Sequence, residues 1–536
     1  MSMLTLLKRK WRMYCQRGPM PYIAVFTLLV ICTLYLMYYN KPRVESFYEN
    51  YKEPVKANAL RIQEAMPGVF DKIDKMKKMG NPENWKMADL HKPFNETLNF
   101  LNDKLKSMNM TNAFMNNIAF PNLIDLRKNM QKPKPTLLNE WRNKVKRKQM
   151  CDRALTLYNN EFALLNDVII DRNFSKGAIG GESLHEVLNQ LETDEIYQLK
   201  QGFFKMDCEA DTLSDYTFSG DTNHLNAWLE AVSTKSSTQG KDINKIPELT
   251  IAIQRYEYAN FYHVITDIYN AFLMMTFFDK QPENTNIIFI DGHPFCELDL
   301  IWQKLFHSVQ RVGHLEGPTL YESLVWGMVG YNSPLNSHGA GGMETLPLAK
   351  EFKEFYLGGY GIPSGGPLEH KLNCDKINIL FIWRRDYVSH PRNPGGKIDR
   401  KILNEDELLQ AMRTIDTVHK VEGIQFDQRS MGIQLNYITN ADLLIGMHGA
   451  GLSHTLFLPP HSALLELSPN DWSPSNKHFW YFAKWSGVSH YRWQSDMRGS
   501  ARGSRDPAYT IVPPGTLKDL VTKIIANMCK TDQSSQ

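Results

Sequence analysis

The sequence predicts an α/β fold in two domains, set behind an N-terminal anchor and stem. Three observations predict it. From Cys151 onward, short apolar runs alternate with helical segments and glycine turns, the pattern of parallel βαβ units. A glycine-dense passage, "GGYGIPSGGPLEH" at 358–370, divides that region in two. Residues 21–39, "PYIAVFTLLVICTLYLMYY", carry no charge and stand apart from everything after them. The length of 536 residues is too great for one ordinary domain, and 42% hydrophobic with 22% charged residues is a globular composition. A net charge of +3 gives no ground for a nucleic-acid partner.

The elements follow in chain order. At roughly 1.5 Å per residue, 21–39 is just long enough to cross a hydrocarbon layer of about 30 Å as a helix. Lys8, Arg9, Lys10, Arg12 and Arg17 precede it, whereas Lys41 and Arg43 are soon offset by Glu45 and Glu49. The positive charges put 1–20 in the cytosol as a tail, make 21–39 a transmembrane signal anchor and send the rest to a lumen. No small-x-small cleavage site follows, which argues against a removed signal peptide. The expected setting is a single-pass type II protein of the Golgi membrane, with the endoplasmic reticulum as the alternative. Sequons at Asn95, Asn109 and Asn173 fit a lumen. Cys151, Cys208, Cys296, Cys374 and Cys529 allow one or two disulfides with a thiol left over. With no CxxC and no Cys/His cluster, a zinc site is not expected.

Residues 40–145, rich in Lys, Asn and Met with scattered Pro, read as a solvated, partly helical stem. The first domain is set at 146–365. In it, "ELTIAIQRYEYANFYHVITDIYNAFLMMTFF" predicts a strand over 249–253 and a helix over 260–278, and "NIIFIDG" predicts the next strand. The second domain, 366–536, opens with a buried strand over 377–383 that ends in Arg384 and Arg385. "NEDELLQAM" predicts a helix capped by Asn404. "ADLLIGM", a glycine loop, a short helix "LSHTLFL" and a strand "ALLELSP" then make a compact crossover unit.

That loop, His448-Gly449-Ala450-Gly451, is where chemistry is expected. Ligands of open α/β sheets sit beyond the carboxyl ends of the strands. Glycines let the backbone approach closely, and the N–H groups that open the next helix suit an anion. Arg384 and Arg385, also past a buried strand, add guanidinium forks for phosphate oxygens. Glu466, ending the next strand, is suited to accept from ribose hydroxyls. Together they describe a nucleoside diphosphate site in the second domain. In the first, His263 and Asp267 are four apart and share one helix face, suited to a general base, with Glu257 of "RYEYAN" as rival. No strict D-x-D occurs, and Glu297-Leu-Asp299 is the nearest approach. Charge on a departing diphosphate is therefore expected to meet arginines, His448 and helix amides, with no obligatory metal or other cofactor.

"ADLLIGMHGAGLSHTLFLPPHSALLEL", "NFYHVITD" and "FIWRRD...KILNEDEL" resemble glycosyltransferase family 61, over roughly residues 200–490. "RYEYANFYHVITDIYNAF" and "FIDGHPFCELDLIWQKLF" resemble its N-glycan β-1,2-xylosyltransferase branch. The resemblance implies two facing Rossmann-like domains of GT-B type and inversion at the anomeric carbon. It also implies a UDP-sugar held by Arg384, Arg385, His448, Gly449, Gly451 and Glu466, with His263 and Asp267 as base. The expected reaction moves xylose from UDP-xylose to the core β-mannose of an N-glycan. UDP-GlcNAc with an EGF-like or O-mannosyl acceptor is the alternative, and an inactive membrane-tethered glycan-binding protein is the alternative of another class. The segment between Arg385 and Asn404 is longer than the family pattern, which leaves open which arginine meets phosphate.

Overall fold

Runs rich in Val, Ile and Leu assemble two sheets on either side of the glycine passage. The computed structural model describes residues 139, 142–213, 216–218, 224–235, 243–336, 344–364, 369–427, 429–469, 473, 475–494 and 508–535. The proposed anchor, Asn95, Asn109 and almost all of the stem lie outside them. Among the described residues no helix is long and apolar enough to cross a membrane.

The first sheet is built from β1 (Arg147–Met150), β2 (Leu155–Tyr158), β3 (Phe162–Ile170), β4 (Leu249–Ile253), β5 (Thr285–Phe289), β6 (Ser308–Arg311) and β7 (Thr319–Trp326). Their order is β1-β2-β3-β7-β4-β5-β6, and three short strands bring the sheet to ten. β4, β5, β6 and β7 are parallel, while β1, β2 and β3 are antiparallel, with β3 against β7. The Rossmann-like expectation for this domain is thus corrected: it holds for the β4–β7 half only. The chain runs outward from β4 through β5 to β6, then returns to β7 on the other side of β4. The direction of winding therefore reverses between β4 and β7.

The second sheet, β8 (Ile377–Ile382), β9 (Val418–Ile424), β10 (Leu443–Met447), β11 (Ala463–Ser468) and β12 (Ser489–Gln494), has the order β9-β8-β10-β11-β12 and is parallel throughout. This 2-1-3-4-5 order is that of a doubly wound nucleotide-binding fold, with its switch point between β8 and β10.

Helix α1 (Phe261–Phe277) follows β4, and Asn260 caps it by accepting from the Tyr262 amide at 3.0 Å. It is buried at every position except His263, so it is an interior helix with one window. It packs on the second domain through Phe261 stacked on His454 (4.4 Å), Tyr262 on Phe482 (5.5 Å) and the Tyr262 hydroxyl against His478 Nδ1 (2.8 Å). One apolar cluster joins Phe261, Tyr262 and Phe482 to Phe457 and Phe479, so the two sheets share a core.

Two local expectations change. Asn404 does not cap α2 (Glu405–Met412); its side chain instead donates to the Val512 carbonyl at 2.8 Å and accepts from the Val512 amide at 3.1 Å. "LSHTLFL" is part of a 3-10 helix that begins earlier, Ala450–Phe457. Asp299 is buried between Arg255 (2.5 Å) and Arg311, so the second acid of Glu297-Leu-Asp299 serves an internal ion-pair cluster. Disulfides join Cys151 to Cys208 and Cys374 to Cys529, leaving Cys296 free. Asn173 is exposed within the short 3-10 turn Arg172–Phe174, as a glycan acceptor must be.

Candidate active site

Arg384 follows β8 and His448 follows β10, so the carboxyl ends on either side of the switch point carry an arginine and the glycine loop. Gly449 is needed there for contact: a Cβ at this position would lie 2.1 Å from a terminal nitrogen of Arg384. The guanidinium therefore rests on the loop because the loop has no side chain. Gly451 permits close packing instead, its absent Cβ facing Ile382 Cγ2 at 3.0 Å. Ala450 starts the 3-10 helix, whose first N–H groups lack partners within the helix.

Burial pushes the Arg384 guanidinium down to about 10, and the nearby Arg400 adds to the fall. Arg400, held in the left-handed region at φ 60°, donates to the His448 carbonyl at 2.8 Å. Arg384 donates from Nε to the Asp399 carbonyl at 3.0 Å. Two cations thus converge on one loop and disfavour each other, an arrangement that an anion between them relieves. Arg385 goes elsewhere: its side chain is 56% exposed and paired with Glu405. Of the two adjacent arginines, Arg384 is the one on the glycine loop.

Glu466 does not face a ribose pocket. It is 2% exposed, with Oε1 2.5 Å from His448 Nδ1 and Oε2 2.8 Å from His490 Nε2, and Arg492 lies 3.9 Å away. Burial alone would raise this carboxyl, but the bonds to the two imidazoles outweigh it and hold it at about 2. Burial lowers His448, with Glu466 opposing. The ionised carboxylate therefore fixes a neutral His448 with its proton on Nδ1 and leaves Nε2 as an acceptor. The carboxylate expected at a ribose is buried against two imidazoles and an arginine. His490 and Arg492 were missed in the sequence, although polar residues two apart on "SHYRWQ" share a sheet face.

The first domain presents its residues at the other switch point. Tyr256 and Glu257 follow β4, and Tyr331 follows β7. Tyr256 is 53% and Tyr331 39% exposed, their rings 4.8 Å apart, and His263 lies 5.2 Å from Tyr256. Asp267, one turn deeper, is 4% exposed, and its Oδ2 has no hydrogen-bond partner. Burial pushes its carboxyl up to about 8, Arg255 opposing and Asp291 adding to the rise. Asp267 therefore holds a proton at neutral pH, and the window of α1 belongs to His263. Glu257 is held by His390 Nε2 at 3.1 Å and Arg392 at 3.3 Å, both from the long segment after Arg385. That segment, whose Pro391 carbonyl also accepts from the Asn189 amide at 2.9 Å, folds back onto the first domain. Neither loop length nor composition indicated this.

Comparison with known proteins agrees with the geometry. A family model described as glycosyltransferase 61 matches residues 246–465, from just before β4 into β11. A β-1,2-xylosyltransferase of Oryza sativa subsp. japonica is 26% identical over 344 residues, 58% of this chain and 63% of the relative. The Arabidopsis thaliana β-1,2-xylosyltransferase is 24% identical over 375 residues, 58% of this chain and 69% of the relative. An EGF domain-specific O-linked N-acetylglucosamine transferase of Gallus gallus is 28% identical over 268 residues, 45% of each chain. The chain thus spans between about half and two thirds of the length of these relatives. Arg384, Arg400, the glycine loop, His263 and Asp267 all fall within residues 246–465, the stretch that matches glycosyltransferase family 61.

Proposed function

We propose that the chain is an inverting glycosyltransferase that binds a UDP-sugar at the β8–β10 switch point. The observation that carries the reading is the pair of crowded guanidiniums, Arg384 and Arg400, on a glycine loop at the head of a helix. In the proposed reaction the acceptor oxygen attacks the anomeric carbon and the bond from that carbon to the diphosphate breaks. Electrons pass to UDP, whose growing charge meets the arginines and loop amides. The acceptor proton goes to His263, the one part-exposed group of α1, whose ring lies 5.2 Å from Tyr256, and the faces of Tyr256 and Tyr331 suit a sugar ring. Asp267, lying one turn below, and Glu257, tied to Arg392, are the alternatives.

The proposed donor is UDP-xylose and the proposed acceptor the core β-mannose of an N-glycan, supported by the two plant relatives. The setting proposed is the Golgi lumen behind the 21–39 anchor, with no obligatory metal in the transfer step. The EGF-directed relative supports a second reading, with UDP-GlcNAc and a protein-bound acceptor. Incubating the purified full chain with each UDP-sugar, and with a biantennary glycan or a folded EGF module, separates the readings by mass spectrometry. Pentose on the glycan is expected. GlcNAc on the EGF module replaces the first reading with the second, and no transfer from any UDP-sugar removes both. Activity lost to a chelator and restored by manganese overturns the metal-free step.

A further inference from the structure

Sequence spacing shows no local metal cluster, but the fold assembles one at the opposite end of the second sheet. His370 comes from the passage between the sheets, Asp442 immediately precedes β10, and His461 lies two residues before β11. His370 Nε2 is 2.9 Å and His461 Nε2 3.0 Å from the same atom, Asp442 Oδ1, and all three ligand atoms lie within 4.8 Å of one another. The carboxylate is fully buried, and its Oδ2 accepts from the Asn378 amide at 2.8 Å. A backbone donor thus fixes the carboxylate so that Oδ1 faces both imidazoles, the outer support typical of metal ligands.

We propose that His370, Asp442 and His461 form a structural site for one zinc ion. Two imidazole nitrogens and one carboxylate oxygen are a zinc donor set. Metal–ligand bonds of about 2.0–2.2 Å in a tetrahedron place ligand atoms about 3.3 Å apart. The separations of 2.9 and 3.0 Å from Asp442 Oδ1 require an opening of a few tenths of an ångström, and the two Nε2 atoms, within 4.8 Å of each other, draw together on ligation by movement of their part-exposed imidazoles. The imidazoles are 22% and 17% exposed, which leaves a side open for a water as fourth ligand. Each Nε2 must be bare to ligate, so a neutral imidazole carries its proton on Nδ1 and a charged one releases a proton to solvent. The five residues of β10 put roughly 16 Å between this cluster and the glycine loop. The ion therefore ties the inter-sheet passage to the amino ends of β10 and β11 and takes no part in transfer.

The test uses the purified full chain, stripped with chelator and dialysed. Calorimetric titration with zinc chloride is expected to show one ion per chain, cobalt(II) to give the absorption of a tetrahedral site, and zinc to raise the melting temperature. All three responses disappear in the His370→Ala/His461→Ala double variant and persist in His490→Ala, whose imidazole sits on Glu466. His461→Gln, a milder change, weakens zinc binding by at least about tenfold. The proposal is overturned if the wild-type chain takes up no stoichiometric zinc, if the folded double variant or His461→Gln binds as tightly as wild type, or if His490→Ala abolishes uptake. Transfer activity below the melting range is the same with and without zinc, so failure of this site and failure of the transferase reading are seen separately.

Discussion

Adding one methyl group at Gly449 tests whether Arg384 grips the nucleotide. The backbone there is extended, with φ 168°, so alanine brings no conformational strain. Its Cβ lies 2.1 Å from a terminal nitrogen of Arg384 and 2.9 Å from Cζ, so the guanidinium has to move. Those atoms are the far end of a flexible side chain, and folding stability should change by less than about 1 kcal/mol. The cost falls on binding. A charge-assisted hydrogen bond is worth about 1.5–3 kcal/mol, and about 1.4 kcal/mol is tenfold, so the Kd for UDP should weaken about 10- to 150-fold. Arg384→Ala should fall in the same range. Because the methyl group acts through the guanidinium, Gly449→Ala/Arg384→Ala should be no worse than Arg384→Ala alone. Calorimetry with UDP on the three variants, with circular dichroism as the check on folding, gives the complete cycle. Unchanged affinity in Gly449→Ala, or losses that simply add in the double variant, would refute the assignment. Gly451→Ala makes the contrast, since its methyl group presses on Ile382 in β8 and lowers the melting temperature as well.

Three further outcomes follow from the first domain and its contact with the second. His263→Gln should lower kcat at least about 100-fold while leaving the Kd for UDP unchanged, since general-base catalysis is worth about that much; wild-type turnover moves the base elsewhere. Asp267, pushed up to about 8 by burial, contributes stability that is full below its ordinary value and lost as pH rises through 8. Asp267→Asn should therefore melt higher than wild type at pH 8.5 and show a smaller difference at pH 5. Retained transfer in that variant would leave the base role to His263 or Glu257. His454, stacked on Phe261, is pushed down to about 4 by burial, with the Gly451 carbonyl opposing. Its stabilising share is present above pH 6.5 and lost as pH falls through 4, at up to about 1.4 kcal/mol per pH unit. Urea unfolding of His454→Gln should depend less on pH across that window, and an unchanged slope would assign the dependence to other groups.

Where an element's determinants lie inside it, the sequence shows them. β4 was read at 249–253 and α1 at 260–278, against 261–277 in the structure, because the apolar run and the Asn260 cap are both local. Asn404 has the same side chain, but Val512, 108 residues away, takes both of its polar groups. The antiparallel half of the first sheet was not legible for the same reason. β3 finds its partner in β7 about 150 residues later, and no local pattern encodes that pairing. The candidate site divides along this line. Its glycine loop was legible because βα-turn chemistry is local. The partners were not: Arg385 and Glu405 are 20 residues apart, and Glu466 meets His490 across strands aligned only by parallel register. A carboxylate at the end of a buried strand must therefore be read together with the strand beside it. Glu466 looks like a ribose acceptor in its own segment, but β12 supplies His490 and Arg492 on its flank, and the glycine loop supplies His448. With both oxygens held at 2.5 and 2.8 Å by imidazoles, the carboxylate sets the orientation of His448 beside the glycine loop and has no oxygen left without a partner.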